Sequence, residues 1–123
     1  MYIIRMGIPD MDALWKDLTT RKPQNQLSKP EAIFLKKWAK AMDHLRHDPR
    51  HPGLQTHEIE PLSKRYGFKV WQSYLENTKK PRRMFWMYGP GRKEITILAI
   101  EPHPEDKKRG AYDRIRLDQL PEA

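Results

Sequence analysis

The fold turns on one stretch of sequence: Arg83-Met84-Phe85-Trp86-Met87-Tyr88, then Gly89-Pro90-Gly91-Arg92, then Glu94-Ile95-Thr96-Ile97-Leu98-Ala99-Ile100-Glu101. Aromatic and β-branched residues fill the two outer runs, and a Gly-Pro-Gly turn parts them, which is the signature of two strands joined by a turn. Residues 94–101 are apolar almost without interruption. A strand of that kind needs cover on both faces and belongs in the middle of a sheet.

Upstream, Phe68–Leu75 is rich in β-formers and reads as a further strand, and Leu54–Pro61 as a short edge strand that ends at Pro61. The run Asp48-Pro49-Arg50-His51-Pro52-Gly53 is a turn-rich loop, and before it the apolar period changes to that of a helix. Ser28-Lys29-Pro30-Glu31 is a capping box that launches a helix over about residues 29–47, with Phe34, Trp38, Ala41 and Leu45 down one face. Lys36, Lys37 and Lys40 fall largely on the opposite, solvated face. Residues 2–8 form a first strand ended by Pro9, and Asp10 caps a helix carrying Met11, Leu14, Trp15 and Leu18 at helical spacing. Asp113–Leu120 is a short final segment of one or two helical turns. The short edge strand aside, the order is β-α-α-β-β-β-(α). This is one α+β domain over residues 1–123, a small antiparallel sheet mixed at its edge with two N-terminal helices packed on it.

The 123 residues suffice for one core. Lys and Arg outnumber Asp and Glu by 24 to 16, a formal +8, which raises the local concentration of polyanions at the surface and brings nucleic acid into the list of partners. There is no cysteine, which excludes disulfides, thiolate metal sites and thiol nucleophiles. The N-terminal residues lack the apolar core of a signal peptide and no run is long enough to span a membrane, so the expectation is a soluble cytoplasmic protein with no membrane partner.

Most catalytic constellations are missing. No phosphate-cradling glycine loop occurs, His57-Glu58 is not followed by a second histidine at metalloprotease spacing, and Ser28, Ser63 and Ser73 lack the context of a nucleophile elbow. His44, His47 and His51 gather near a helix end, where the dipole favours them, with no carboxylate to complete a zinc site. Neither a metal nor a small-molecule cofactor is expected. Trp71, Tyr74, Phe85, Trp86 and Tyr88 read either as core or in part as a platform for stacking bases.

Five segments taken in order carry a resemblance. They are Leu54-Gln55-Thr56-His57-Glu58-Ile59, Tyr66-Gly67-Phe68-Lys69-Val70, Arg82-Arg83-Met84-Phe85-Trp86, Ile95–Ile100, and Glu101-Pro102-His103-Pro104 leading through Lys107-Lys108-Arg109 to Tyr112. Their sequence and spacing resemble the RelE/ParE toxin superfamily over about residues 29–117, while the first helix matches in type alone. The resemblance implies the toxin of a type II toxin–antitoxin pair, with a cognate antitoxin protein as partner. RelE-like members cut mRNA without a metal, many of them on the ribosome, and so inhibit translation and growth. The ParE-like branch binds DNA gyrase and cuts nothing, and a plain nucleic-acid or protein interaction module is a third alternative.

Metal-free RNA cleavage needs a base for the ribose 2′-hydroxyl, cations on the phosphoryl oxygens and an acid for the leaving 5′-oxygen. By resemblance, the catalytic candidates are Arg83, Lys69, His103 and Tyr112. Arg83 offers a planar fork for a phosphate, and Lys69 a second cation or a base. His103, held between Pro102 and Pro104, is the general acid or base. Tyr112 stacks on a base or orients the nucleophile. In structural roles the same residues would be a cross-strand arginine, a solvated lysine, a turn histidine and an anchor for the last segment. Arg82, Lys107, Lys108, Arg109 and His57 are the RNA-binding candidates, and His57 with Glu58 is a second acid–base pair. In a regular strand Arg82 points away from Arg83, so one of the two serves a given face. Glu105 and Asp106 stand where many relatives are basic, a departure from the family pattern.

Overall fold

The computed structural model describes residues 1–101 except Ile8, Asn77 and Lys80. Strand β1 (Ile3–Met6) leads into helix α1 (Pro9–Arg21) and helix α2 (Lys29–His47). A 3₁₀ turn at Pro52–Leu54 precedes the two-residue strand β2 (His57–Glu58), helix α3 (Glu60–Tyr66), and strands β3 (Trp71–Tyr74), β4 (Arg83–Tyr88) and β5 (Glu94–Glu101). The strands form one mixed sheet in the order β1-β5-β4-β3-β2, in which β1 runs parallel to β5 and the remaining pairs are antiparallel. The protein is therefore α+β, with the most apolar strand inside the sheet. Among the described residues no helix is long and apolar enough to cross a membrane.

Helix α2 begins where its capping box lies. The Glu31 amide donates to Ser28 Oγ at 3.2 Å and the Ser28 amide to Glu31 Oε1 at 3.0 Å, satisfying two of the donors a helix start leaves open. It buries Leu35, Trp38, Ala41, Met42 and Leu45, a wider stripe than the Phe34-Trp38-Ala41-Leu45 row, and Phe34 itself is half-buried. Trp15 of α1 meets the Trp38 ring edge-on at 4.9 Å. Asp10 lies within the first turn of α1, because the helix opens at Pro9, a residue whose fixed φ and missing donor suit that place.

The largest departure from expectation is α3. Leu54–Pro61 supplies the edge strand over His57–Glu58 alone, and the rest of it holds the end of a 3₁₀ turn and the opening of a helix. Pro61 begins rather than ends an element, since the first helical turn needs no donor from it. Gly67, at φ +78°, ends the helix in the left-handed region, and its amide donates to the Ser63 carbonyl at 3.0 Å. Strand β3 is shorter than expected for the same reason, as Phe68–Val70 serve as the exit from α3.

The helices cover the sheet from both sides. Leu18, Trp38, Leu45, Met84, Trp86, Ile95 and Ile97 close a core under α1 and α2. On the other side Leu62 of α3 packs with Ile59, Val70, Phe85, Leu98 and Ala99. Strand β5 serves this second core through a bulge. Phe85 pairs with Ala99 but Trp86 pairs with Ile97, so Leu98 is an extra residue and joins Ala99 on the α3 face.

A charged clasp ties the two N-terminal helices. Arg21 at the end of α1 donates through both guanidinium Nη atoms to the two carboxylate oxygens of Glu31, and to Asp17 as well. The Arg21 hydrogen bonds, with help from the Ser28 amide, lower the Glu31 carboxyl from 4.5 to about 2. A carboxylate held below its unfolded value adds stability above that value and loses it as the pH falls through the folded one. Wild-type protein should therefore lose stability between about pH 4.5 and 2 more steeply than Glu31→Gln, as read from thermal melting by circular dichroism. Parallel pH profiles would show that the clasp carries no linkage.

Candidate functional site

The sheet face covered by α3 gathers polar groups at one end. Strand alternation sends Met84 and Trp86 toward α1 and α2, and their neighbours Arg83 and Phe85 to the opposite side. Register then sets the row: Tyr74, Arg83 and Glu101 lie directly across from one another on β3, β4 and β5, with Gln72 opposite Phe85 and His57 opposite Gln72.

Arg83 is 7% exposed, and its guanidinium Nη1 donates to Gln72 Oε1 at 2.9 Å. Arginine offers donors alone, so the amide oxygen must face it and the Gln72 amino group turns the other way. That amino group lies 3.3 Å from His57 Nε2, whose Nδ1 is 3.1 Å from the Gln55 carbonyl. The chain has one consistent direction. Arg83 donates to Gln72, Gln72 donates to His57 Nε2, and His57 Nδ1–H donates to the Gln55 carbonyl, which requires a neutral imidazole in the Nδ1–H tautomer. The histidine is exposed, and its ring centre lies 6.2 Å from that of Tyr74. The site thus links a shielded guanidinium to a solvent-facing imidazole through one fully buried amide.

Lys69 and Arg82 do not join this row. Lys69 Nζ lies 6.0 Å from the centre of the Trp71 ring, on the α1–α2 side of the sheet. Val70 and Gln72 take the α3 side, so the alternation that brings Gln72 to Arg83 turns Lys69 away. The Arg82 guanidinium stacks on Phe34 of α2, 4.7 Å from the ring centre. There it lines a groove of about 300 Å³ with Pro30, Glu31 and Ile100. His103, Lys107, Lys108, Arg109 and Tyr112 lie outside the described residues, as does the Asp113–Leu120 segment.

Gln72 and Glu101 were not singled out from sequence, and Tyr74 was named there as an aromatic of the core or of a stacking platform, not as a neighbour of Arg83. Alternation along β3 could have raised Tyr74 once Arg83 was chosen, but the pairing register and the bulge were needed to put Glu101 on the same face. The histidine group near the end of α2 is not arranged around a shared ion. His44 and His51 stack face to face at 3.9 Å, and His51 Nδ1 accepts the Gly53 amide at 3.0 Å. Burial, together with the His51 ring and Lys40, lowers the pKa of His44. Among the described residues no cluster of three or more His, Cys, Asp or Glu side chains could hold a metal ion.

No protein-family model matches the chain, and neither the curated proteins nor the solved structures contain a significant match to it.

The buried amide is the link on which the chain depends. Gln72→Leu takes one acceptor from a buried cation and should cost about 1.5–3 kcal/mol in urea unfolding, the range for hydrogen bonds to charged groups. His57→Ala, at the exposed end, should cost under about 0.5 kcal/mol. Equal losses would remove Gln72 as the anchor. Imidazole nitrogen shifts should independently report the Nδ1–H tautomer at His57.

Proposed function

We propose that the chain is a toxin of the RelE/ParE type that cleaves mRNA without a metal, and that the α3 face of its sheet is where RNA is worked on. The observation that carries the reading is the polar row on that face: Arg83, held by Gln72, with His57, Tyr74 and Glu101 around it. Two N-terminal helices on one side of the sheet support the reading, although α3 is an addition to the order the resemblance implies, and the +8 charge supports it as well. His103 follows Glu101 by two positions in the chain, so the histidine suited to proton transfer comes directly after the strand that runs beside Arg83.

In this scheme the 2′-oxygen attacks the adjacent phosphorus while its proton passes to a base. Arg83 offsets charge building on the phosphoryl oxygens, and the bond to the 5′-oxygen breaks as that oxygen takes a proton from the acid. A 2′,3′-cyclic phosphate and a free 5′-hydroxyl result. His103 and His57 are the two imidazoles available for proton transfer, and Tyr112 the residue for stacking. Lys69 has no part in this face. Lys107, Lys108 and Arg109 supply cations for the RNA backbone, and a cognate antitoxin would act by covering the basic surface.

A non-catalytic reading, the gyrase-binding branch, draws on one observation. Arg83 is shielded and Lys69 faces away, so His57 is the one exposed member of the described candidates on the row.

Inducible expression in a bacterial host, with primer extension on abundant transcripts, separates the two. The wild type should arrest growth and leave new, translation-dependent cuts. His103→Ala and Arg83→Ala should lower cutting by about 100-fold or more, the scale of a lost proton-transfer group or charge contact. Circular dichroism must show both variants folded, and His57→Ala gives a surface comparison. Arrest without cuts would move the protein to the binding branch. Full cutting by folded His103→Ala and Arg83→Ala would overturn the site.

A further inference from the structure

The opposite side of the sheet carries a second feature that the cleavage scheme does not use. Beyond the C-terminal end of α2, the loop through the 3₁₀ turn folds back over Trp71 and Tyr88 and encloses a cavity of about 410 Å³, within the roughly 300–1,000 Å³ of small-ligand pockets. Arg50, His51, Gln55, Thr56, Trp71 and Tyr88 line it.

Its back wall is rigid. Trp86 Nε1–H donates to Ser73 Oγ at 2.8 Å, the Ser73 hydroxyl meets Thr56 Oγ1 at 2.8 Å, and Thr56 donates to the Pro49 carbonyl at 2.8 Å. Each hydroxyl proton has one place to go. The loop is thereby pinned to the sheet, and the pocket exists without a ligand to shape it.

The walls are aromatic. Trp71 and Tyr88 meet edge to face with ring centres 6.2 Å apart, and Trp86 lies parallel to Trp71 behind them at 6.1 Å. His51, backed by the stacked ring of His44, adds a flat wall. Because its Nδ1 accepts the Gly53 amide, a neutral His51 must carry its proton on Nε2 and can donate it. Tyr88 is 43% exposed, so its ring is open to a ligand from solvent.

One cation stands on the wall and another beside one of its rings. Arg50 is exposed on the wall, and Lys69 reaches over the Trp71 ring. Two carboxylates temper them: Asp48, which accepts the Arg50 amide at 3.0 Å, and Glu58, the register partner of Trp71. That balance provides for one phosphate at the pocket.

We propose that this pocket is a binding site for a single unpaired nucleotide, with the base against Trp71 and Tyr88 and one phosphate at Arg50 and Lys69. Aromatic stacking is open to any base, and cations beside it hold the backbone without reading sequence, which is how unpaired strands are gripped. Lys69, turned away from Arg83, thereby has a task on its own face. The nucleotide comes from a free monophosphate or from one unit of a single strand, and both present the same base and phosphate.

Two probes distinguish the sources, and neither depends on cleavage. Adenosine 5′-monophosphate is titrated by isothermal calorimetry, and a fluorescein-labelled tetradeoxyadenylate, which lacks the 2′-hydroxyl nucleophile, by fluorescence anisotropy. Tyr88→Ala and Arg50→Ala alter exposed groups, so both proteins should fold. Each should weaken binding by about tenfold, the scale of one lost stacking partner or phosphate contact. Binding of both probes with that sensitivity supports a site for the free nucleotide. Binding of the tetranucleotide alone, with the same sensitivity, supports the site and identifies the strand as its source. Three results would overturn the proposal: no binding of either probe, binding unchanged in both variants, or ribose 5-phosphate competing as well as the full nucleotide.

Discussion

Strands β4 and β5 cannot face water on either side, and the rest of the molecule is arranged around that requirement. Met84, Trp86, Ile95 and Ile97 need cover in one direction, while Phe85, Leu98 and Ala99 need it in the other. Helices α1 and α2 meet the first need with one broad aromatic layer. The second is met by a seven-residue helix and the segments on either side of it, a much smaller cover. That inequality decides where polar chemistry can live. Burial is complete around Leu62 and gives way toward Tyr74 and His57, so a guanidinium can be shielded and still stand one hydrogen-bonded side chain from solvent.

Shielding also sets what Arg83 can do. A guanidinium held by a buried amide does not search among rotamers, and its field acts through a medium less polar than water. Pre-organisation of this kind suits a group that must offset charge developing on a phosphate. The same geometry suits a purely architectural arginine, and chemistry on RNA is what separates the two. The face toward α2 is built on different terms. Its hydroxyl chain from Trp86 through Ser73 and Thr56 to Pro49 contains no charge, and it fixes a loop and a cavity rather than an ion.

Legibility in the sequence followed the strength of local signals. Strands β4 and β5 stood out because a Gly-Pro-Gly turn separates two apolar runs, and α2 because Ser28 and Glu31 announce its first turn. Helix α3 was hidden by Pro61, which means opposite things at the end of a strand and in the first turn of a helix. Of the site, Arg83 was readable as a candidate cation and His57 as an imidazole, but not their connection. Gln72 links them across 11 and 15 positions of chain, and nothing in Trp71-Gln72-Ser73 marks the glutamine as buried until the pairing register is known. Lys69 shows the reverse error. A resemblance grouped it with Arg83, while simple alternation from Val70 would have turned it away.

The bulge in β5 has a consequence beyond packing. Alternation makes a strand a two-letter code in which odd and even positions address opposite surfaces, and Leu98 inserts a single count that inverts the code for the residues after it. Glu101 shares a surface with Arg83 because of that inversion. Were the strand regular with Leu98 kept, Ile100 and Glu101 would exchange addresses, sending a carboxylate toward the helices and an isoleucine into the polar row. Deleting Leu98 itself would leave both where they are, because the extra count leaves with the residue. In this sheet, the chemistry of a surface is encoded by a parity as much as by the residues present.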